Sequence, residues 1–276
     1  MTIKFIKMHG LGNDFIVIDC INQNIHLNPA QIASMAKRDT GIGFDQCLLV
    51  ESSRLPEVDF YYRIFNADGQ EVGQCGNGAR CLALFIKRQG LSTKNHLKVA
   101  TKTTVMDLHI QANGLVSVIM GIPKLAPQDI PINSDLQSVS YSLQIPDSDV
   151  MKVHAINVGN PHAVLVVTDL NATPVHLIGK QISLHPLFPE QTNVGFMQLI
   201  SPGHIQLRVY ERGCGETQAC GSGAVAAAAI GRLYYQLDEH ITVTLTGGDL
   251  NIHWPDKNKP ITLTGPAAFV YEGVFF

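Results

Sequence analysis

Apolar and polar positions alternate along this chain in short runs, which predict strands more often than helices. Positions 3–7 alternate as a half-buried strand does, Gly10 to Asn13 make a turn, and 15–18 read as a buried strand. Asn28 caps a helix with Pro29 in its first position, and that helix runs to about Arg38 before the loop TGIGFDQ at 40–46. Strands are predicted at 47–50 and 59–65, then a cysteine loop, QCGNGARC at 74–81, whose helix over 79–89 stops at Gly90. Further strands are predicted at 97–101, 105–110 and 115–120. Pro123, Pro127, Pro131 and Pro146 punctuate a polar stretch without helical period, where a domain boundary is expected.

The second half repeats the first. A strand at 152–157, a turn and strand at 158–167, a helix capped by Thr173-Pro174 and strands at 195–200 and 205–210 lead to a second cysteine loop, ACGSGAVA at 219–226. Its helix, 224–232, is apolar and alanine-rich, which suits close packing. A shift of 145 carries Asn28-Pro29 onto Thr173-Pro174, Arg63 onto Arg208, Asn66 onto Glu211, Glu71 onto Glu216 and Cys75-Gly76 onto Cys220-Gly221. A shift of 147 carries Gly12-Asn13 onto Gly159-Asn160 and Gln46 onto Asn193. Chance would scatter these offsets, so the pattern predicts a mixed α/β fold of two duplicated, pseudo-symmetric domains. The expected domains are 1–122, carrying Cys75 and receiving the last strand at about 266–276, and 123–265, carrying Cys220.

Composition narrows the function. With 276 residues, 45% of them hydrophobic and 16% charged, the chain can bury a core, and a net charge of −3 with scattered Lys and Arg forms no basic stripe. Nucleic acid and anionic membrane are therefore poor partners, and a small-molecule ligand is expected. The first residues lack an apolar secretory core and no run reaches the length of a membrane span, so a cytoplasmic protein is expected. Six cysteines without CxxC or zinc-type spacing favour reduced thiols and no metal.

Each cysteine loop places a thiol before Gly-polar-Gly at the start of a helix. Unpaired N–H groups and the macrodipole there favour a thiolate, drawing the pKa below its free value of about 8.5. The glycines let backbone close on a ligand carboxylate. Taken singly, either loop also reads as plain helix capping, and the spacing permits a Cys75–Cys81 or Cys214–Cys220 disulfide; yet only Cys75 and Cys220 repeat between the halves. Pseudo-twofold symmetry would present these two thiols to opposite faces of one carbon across a cleft, one as base and the other as acid, which inverts a stereocentre. Helix N–H groups aimed at a substrate carboxylate would stabilise the carbanion, and with no pyridoxal lysine motif visible, no cofactor is expected. Asn13, Gln46, Asn66, Asn77, Asn160 and Asn193 lie in turns or at strand ends. Such amides usually serve the backbone; their recurrence in both halves points to holding an amino acid's ammonium and carboxylate. Glu211 and Arg212 add a charge pair, Arg212 suiting a bidentate carboxylate, and His162 lies at a repeated turn.

At these residues the sequence resembles the diaminopimelate epimerases. KMHGLGNDFIVID at 7–19, FNADGQEVGQCGNGARC at 65–81, NVGNPHAV at 157–164 and ERGCGETQACGSGA at 211–224 match the family's signature stretches in order. The resemblance implies a pyridoxal-independent enzyme with Cys75 and Cys220 as the acid/base pair, and substrate contacts from Asn13, Gln46, Asn66, Gly76, Asn77, Asn160, Asn193, Glu211, Arg212, Gly221 and Ser222. It further implies assistance from His162 and Glu211, two strand-rich half-barrels around central helices that close on substrate, and a homodimer. Cys214 stands where the family often carries another small residue. The competing readings are a proline or hydroxyproline racemase, a non-catalytic anion-binding module and a redox protein; the last two lack a P-loop or complete GxGxxG and a CxxC, respectively.

Overall fold

The computed structural model describes residues 2–73, 75–146 and 149–276; Gln74, which opens the first cysteine stretch, lies outside them. The chain divides into two compact units, Met1–Val118 with Thr264–Phe276, and Ile119–Leu263.

In the first unit, β1 (Ile3–Gly10), β2 (Asn13–Asp19), α1 (Pro29–Ala36), β3 (Gln46–Ser52), β4 (Phe60–Asn66), β5 (Glu71–Val72), α2 (Gly76–Arg88), β6 (His96–Ala100), β7 (Val105–Ile110) and β8 (Val116–Ile119) follow in order. The C-terminal strand, Ala268–Phe275, returns to pair antiparallel with β1. From there the sheet runs through β2, β3, β4, β6 and β7, with the β2–β3 and β4–β6 pairs parallel and the rest antiparallel. Strands far apart in that order, β1, β2, β3 and β7, all touch α2, so the sheet curves around this helix. Both faces of β2 are covered: Phe15, Ile16, Val17 and Ile18 are all fully buried, with Phe15 against Gly78 of α2 and Ile16 and Ile18 packed with Ile32 and Met35 of α1.

The second unit repeats that plan with β9 (Tyr141–Leu143), β10 (Met151–Asn157), β11 (Pro161–Val166), α3 (Val175–Ser183), β12 (Asn193–Ser201), β13 (His204–Glu211), β14 (Gly215–Thr217), α4 (Gly221–Tyr234), β15 (His240–Leu245) and β16 (Gly248–His253). Here β11–β12 and β13–β15 are the parallel pairs. The equivalence reaches single residues: Phe15 pairs with Gln46 in β2–β3, and His162 pairs with Asn193 in β11–β12, both related by the shift of 147. Alanine at 224 and 226–229 buries α4 against the strands around it, because a methyl group keeps the helix axis close to the sheet.

Four sequence expectations change. Both cysteine helices begin three residues earlier than predicted, at Gly76 and Gly221, so Gly-polar-Gly is the first helical turn and Asn77 is helical rather than in a turn. The first helix ends at Ala36, because Arg38 leaves it to fork onto Asp14 and Asp45. Asn28 caps as expected, in a capping box with Gln31; Thr173 does not, since its hydroxyl donates to the Asp169 carbonyl and Pro174 takes the cap position. Finally, β15 and β16 were not among the predicted strands, although Ile241, Val243 and Leu245 alternate inward.

Candidate active site

Each cysteine is itself the N-cap of its helix. The Cys75 sulfur accepts from the Gly78 N–H at 3.4 Å and the Cys220 sulfur from the Gly223 N–H at 3.3 Å, with both caps in extended backbone. Sulfur thus occupies the place where Ser, Asp or Asn oxygen usually satisfies the first turn. The strand pairs that deliver these caps are clamped alike. Arg63 holds Glu71 through Nε and Nη2, at 3.2 and 2.9 Å, and Arg208 holds Glu216 through the same atoms at 2.6 and 3.0 Å. The turn inside each clamp also repeats, with Gly69 N–H on the Asn66 carbonyl and Cys214 N–H on the Glu211 carbonyl. Gly12 at φ 90° and Gly159 at φ 107° make the left-handed turns that place Asn13 and Asn160.

In the first unit, the Asp45 carboxylate accepts a hydrogen bond from Asn13 Nδ2 at 2.9 Å, which turns Asn13 Oδ1 toward the cysteine. That oxygen accepts from Asn77 Nδ2 at 3.3 Å and lies 4.0 Å from the Cys75 sulfur. Asp45 is anchored in turn by Arg38, within a network that includes Asp14 and Lys7. Burial pulls the Asp14 carboxyl up, but the hydrogen bonds and charges of Arg38 and Lys7 prevail and hold it at about 2. Gln46 donates to Asn66 at 2.8 Å across β3–β4, and its buried Oε1 has no partner among the described residues. Gly76, the first helical residue, follows Cys75 directly.

In the second unit, Asn160, His162, Asn193, Ser222 and Cys220 form one polar cluster. His162 Nε2 lies 3.1 Å from Asn160 Oδ1, 3.0 Å from Ser222 Oγ and 3.4 Å from Asn193 Nδ2, and Ser222 Oγ is 3.6 Å from the Cys220 sulfur. Asn193 Oδ1 accepts from the Arg212 backbone at 2.8 Å, while the Arg212 side chain donates to the Glu190 carbonyl. Glu211 accepts from the Thr217 hydroxyl. His162 is fully buried, and burial, with the Arg212 charge, lowers its pKa to about 3, so the ring is neutral at neutral pH.

The expectation of a depressed thiol pKa fails at Cys220. Burial and the Glu211 carboxylate push this thiol well up, outweighing the hydrogen bonds from Ser222 and Gly223 that favour the thiolate. The helix end is present; desolvation is the larger effect. Cys81 is a thiol in the buried face of α2, pushed up to about 12 by burial, and Cys220 is likewise a thiol, so neither disulfide permitted by spacing is formed.

Sequence reasoning missed Asp45, which orients Asn13, and Arg80, which donates to Asn77 Oδ1 at 3.0 Å. A charged residue inside the apolar run after QCGNGA was the available signal for Arg80. Among the described residues, the grouping with metal-ligand spacing is Glu239, His240 and His253, which includes none of the predicted site residues. No helix among them is long and apolar enough to cross a membrane.

The fold is shared with solved proteins of low sequence identity. A hydroxyproline epimerase from Agrobacterium vitis, solved with trans-4-hydroxy-L-proline, aligns with a TM-score of 0.70 at 12% identity over 99% of this chain and 92% of that one. A PhzF-family phenazine biosynthesis protein from Bacillus anthracis aligns at 0.69 and 17% identity over 100% and 99%. Sequence relatives are far nearer. This chain is 65% identical to a diaminopimelate epimerase of Legionella pneumophila and 48% identical to one of Pseudomonas aeruginosa, each over 99% of both chains. The diaminopimelate epimerase family profile matches residues 5–126 and 154–270, spanning both cysteine helices and both amide sets. With profile, relatives and repeated thiol caps in agreement, the chain belongs to the diaminopimelate epimerase family.

Proposed function

We propose that this protein interconverts LL- and meso-2,6-diaminopimelate by two-base proton transfer, without pyridoxal or metal, serving lysine and peptidoglycan precursor synthesis in the cytoplasm. One cysteine, as thiolate, takes the α-proton from one face; the other, as thiol, returns a proton to the opposite face, and the reverse reaction exchanges the roles. The observation that carries this is the matched pair of sulfur N-caps, each with helix N–H groups beside it, in a chain of this family. Those N–H groups answer the hard step, in which charge grows on a carboxylate already ionised, and preorganised donors of this kind contribute roughly 2.7–4 kcal/mol each.

Substrate contacts are assigned to Asn13, Gln46, Asn66, Gly76 and Asn77 of the first unit and to Asn160, Asn193, Glu211, Arg212, Gly221 and Ser222 of the second, the residues at which the sequence resembles the family. His162, neutral and bonded to both Asn160 and Ser222, assists by fixing amide and hydroxyl orientations. A homodimer is expected, and the exposed Val270, Tyr271 and Val274 of the C-terminal strand offer apolar surface for it. Incubation with LL-diaminopimelate in deuterated water tests the assignment: the α-proton signal should be lost as meso product forms. Exchange with proline or hydroxyproline but not with diaminopimelate would transfer the protein to the racemase reading.

A further inference from the structure

Arg80 is fully buried, and its partners are three neutral acceptors: Asn77 Oδ1 at 3.0 Å, the Pro266 carbonyl at 3.1 Å and the Gly76 carbonyl at 3.5 Å. Among the described residues no carboxylate pairs with it. Burying a guanidinium is costly, and hydrogen bonds to neutral acceptors offset that cost less than a carboxylate would. Its donors hold the first turn of α2, the turn that Cys75 caps. Through Asn77 the contact continues to Asn13 Oδ1, which faces the Cys75 sulfur. The second unit has no counterpart, because the shift of 145 puts buried Val225 at this position.

We propose that Arg80 is a positioning residue for Cys75: it fixes the Asn77–Asn13 amide pair beside the sulfur and supplies a buried positive charge that Cys220 lacks. The proposal rests on the reading of Cys75 as one of the two bases. Burial lowers the Arg80 pKa, with the nearby Cys81 and Cys75 sulfurs opposing that, and a guanidinium keeps its proton even so. Other charged groups on the elements around α2 are engaged elsewhere. Lys7 of β1 pairs with Asp14 of β2, Glu51 of β3 with Arg63, and Asp107 of β7 with His96, while His9 of β1 accepts from the Gly12 N–H and His109 of β7 is exposed. From β4, burial and then the Cys75 charge raise the pKa of the buried Tyr62 phenol, so it stays neutral. Cys220 instead has Glu211 acting on it, and the cation of its cluster, Arg212, is exposed and donates to the Glu190 carbonyl. The duplicated halves therefore differ in charge where they agree in geometry, so Cys75 should be the first of the two thiols to ionise.

The test follows iodoacetamide labelling of each cysteine against pH, by peptide mass spectrometry on the full-length protein. In the unsubstituted protein Cys75 should reach half-maximal rate at lower pH than Cys220; the reverse order overturns the proposal without any variant. In Arg80→Met the Cys75 midpoint should rise by at least about one pH unit with the Cys220 midpoint unmoved, and turnover should fall at least about tenfold in kcat. Arg80→Lys, which keeps the charge, should restore most of the Cys75 midpoint. An unmoved Cys75 midpoint in Arg80→Met, or equal shifts at both cysteines, would show a purely structural arginine. Should Arg80→Met fail to fold, the unsubstituted order and the Lys variant still decide. Failure of the functional reading looks different, since full epimerisation by Cys75→Ser would leave these labelling profiles as they are.

Discussion

At the scale of the residue, a hydroxyl cannot replace either thiol, because an alcohol is far too weak an acid to be present as the free base. Cys75→Ser and Cys220→Ser should each nearly abolish epimerisation. Each keeps one thiol, so each should still eliminate a leaving group beside the α-carbon of an analogue, with one stereoisomer, and the preferred isomer should swap between the variants. Chiral chromatography of the unreacted analogue reads this directly; the same preference in both would mean that one cysteine performs both transfers. His162 makes a separate prediction. Its folded pKa of about 3 lies below the ordinary 6.5, so the unfolded chain takes up a proton first as pH falls. The stability tied to it is complete above pH 6.5 and is lost as pH drops toward 3, by at most about 1.4 kcal/mol per pH unit. His162→Gln should flatten the melting temperature against pH in that window, relative to the unsubstituted protein; parallel curves would refute a neutral buried ring.

At the scale of the element, the two cysteine helices share a cap but differ in clearance. A Cβ at Gly223 would meet Val209 Cγ2 at 2.9 Å and the Cys220 sulfur at 3.3 Å, whereas one at Gly78 would meet Phe15 and Leu48 at 3.3 and 3.4 Å. Gly223→Ala should therefore cost about 1–3 kcal/mol from overpacking, less the helix gain of up to about 1 kcal/mol. Adding Val209→Ala should recover stability, measured by urea denaturation, without recovering turnover, because the sulfur contact remains. Gly78→Ala should be nearly neutral. What the sequence made legible at this scale came from the duplication: Cys75 with Cys220, Asn13 with Asn160, and Arg63–Glu71 with Arg208–Glu216 announced themselves by recurring at fixed shifts. Arg80 recurs nowhere, and Asp45 acts through Asn13, so periodicity was silent on both. Thr173 repeats Asn28 in sequence but not in role, since its short hydroxyl found a carbonyl of its own turn. Nor could the rise in the Cys220 pKa be read from a motif, because it depends on how completely the surrounding strands exclude water.

At the scale of the whole molecule, the reaction is expected to draw its stabilisation from helix ends and amides. Dialysis against a chelator followed by borohydride treatment should leave turnover unchanged, as measured by the deuterium exchange assay; loss under either treatment would assign the chemistry to a bound group. The return of the C-terminal strand has a consequence during synthesis. The first unit is interrupted in sequence by the entire second unit, and Ala268–Phe275 supplies the second of the two strands that flank β1. Nor can Arg80 reach the Pro266 carbonyl before that residue has left the ribosome. Residues 119–263 are thus contiguous in sequence, whereas the Cys75 half is incomplete until the last strand emerges. Ribosome-bound chains carrying a C-terminal linker just long enough to bring residue 263, but not Ala268–Phe275, out of the exit tunnel should protect the Cys220 helix from protease before the Cys75 helix, reversing the order in which the two were translated.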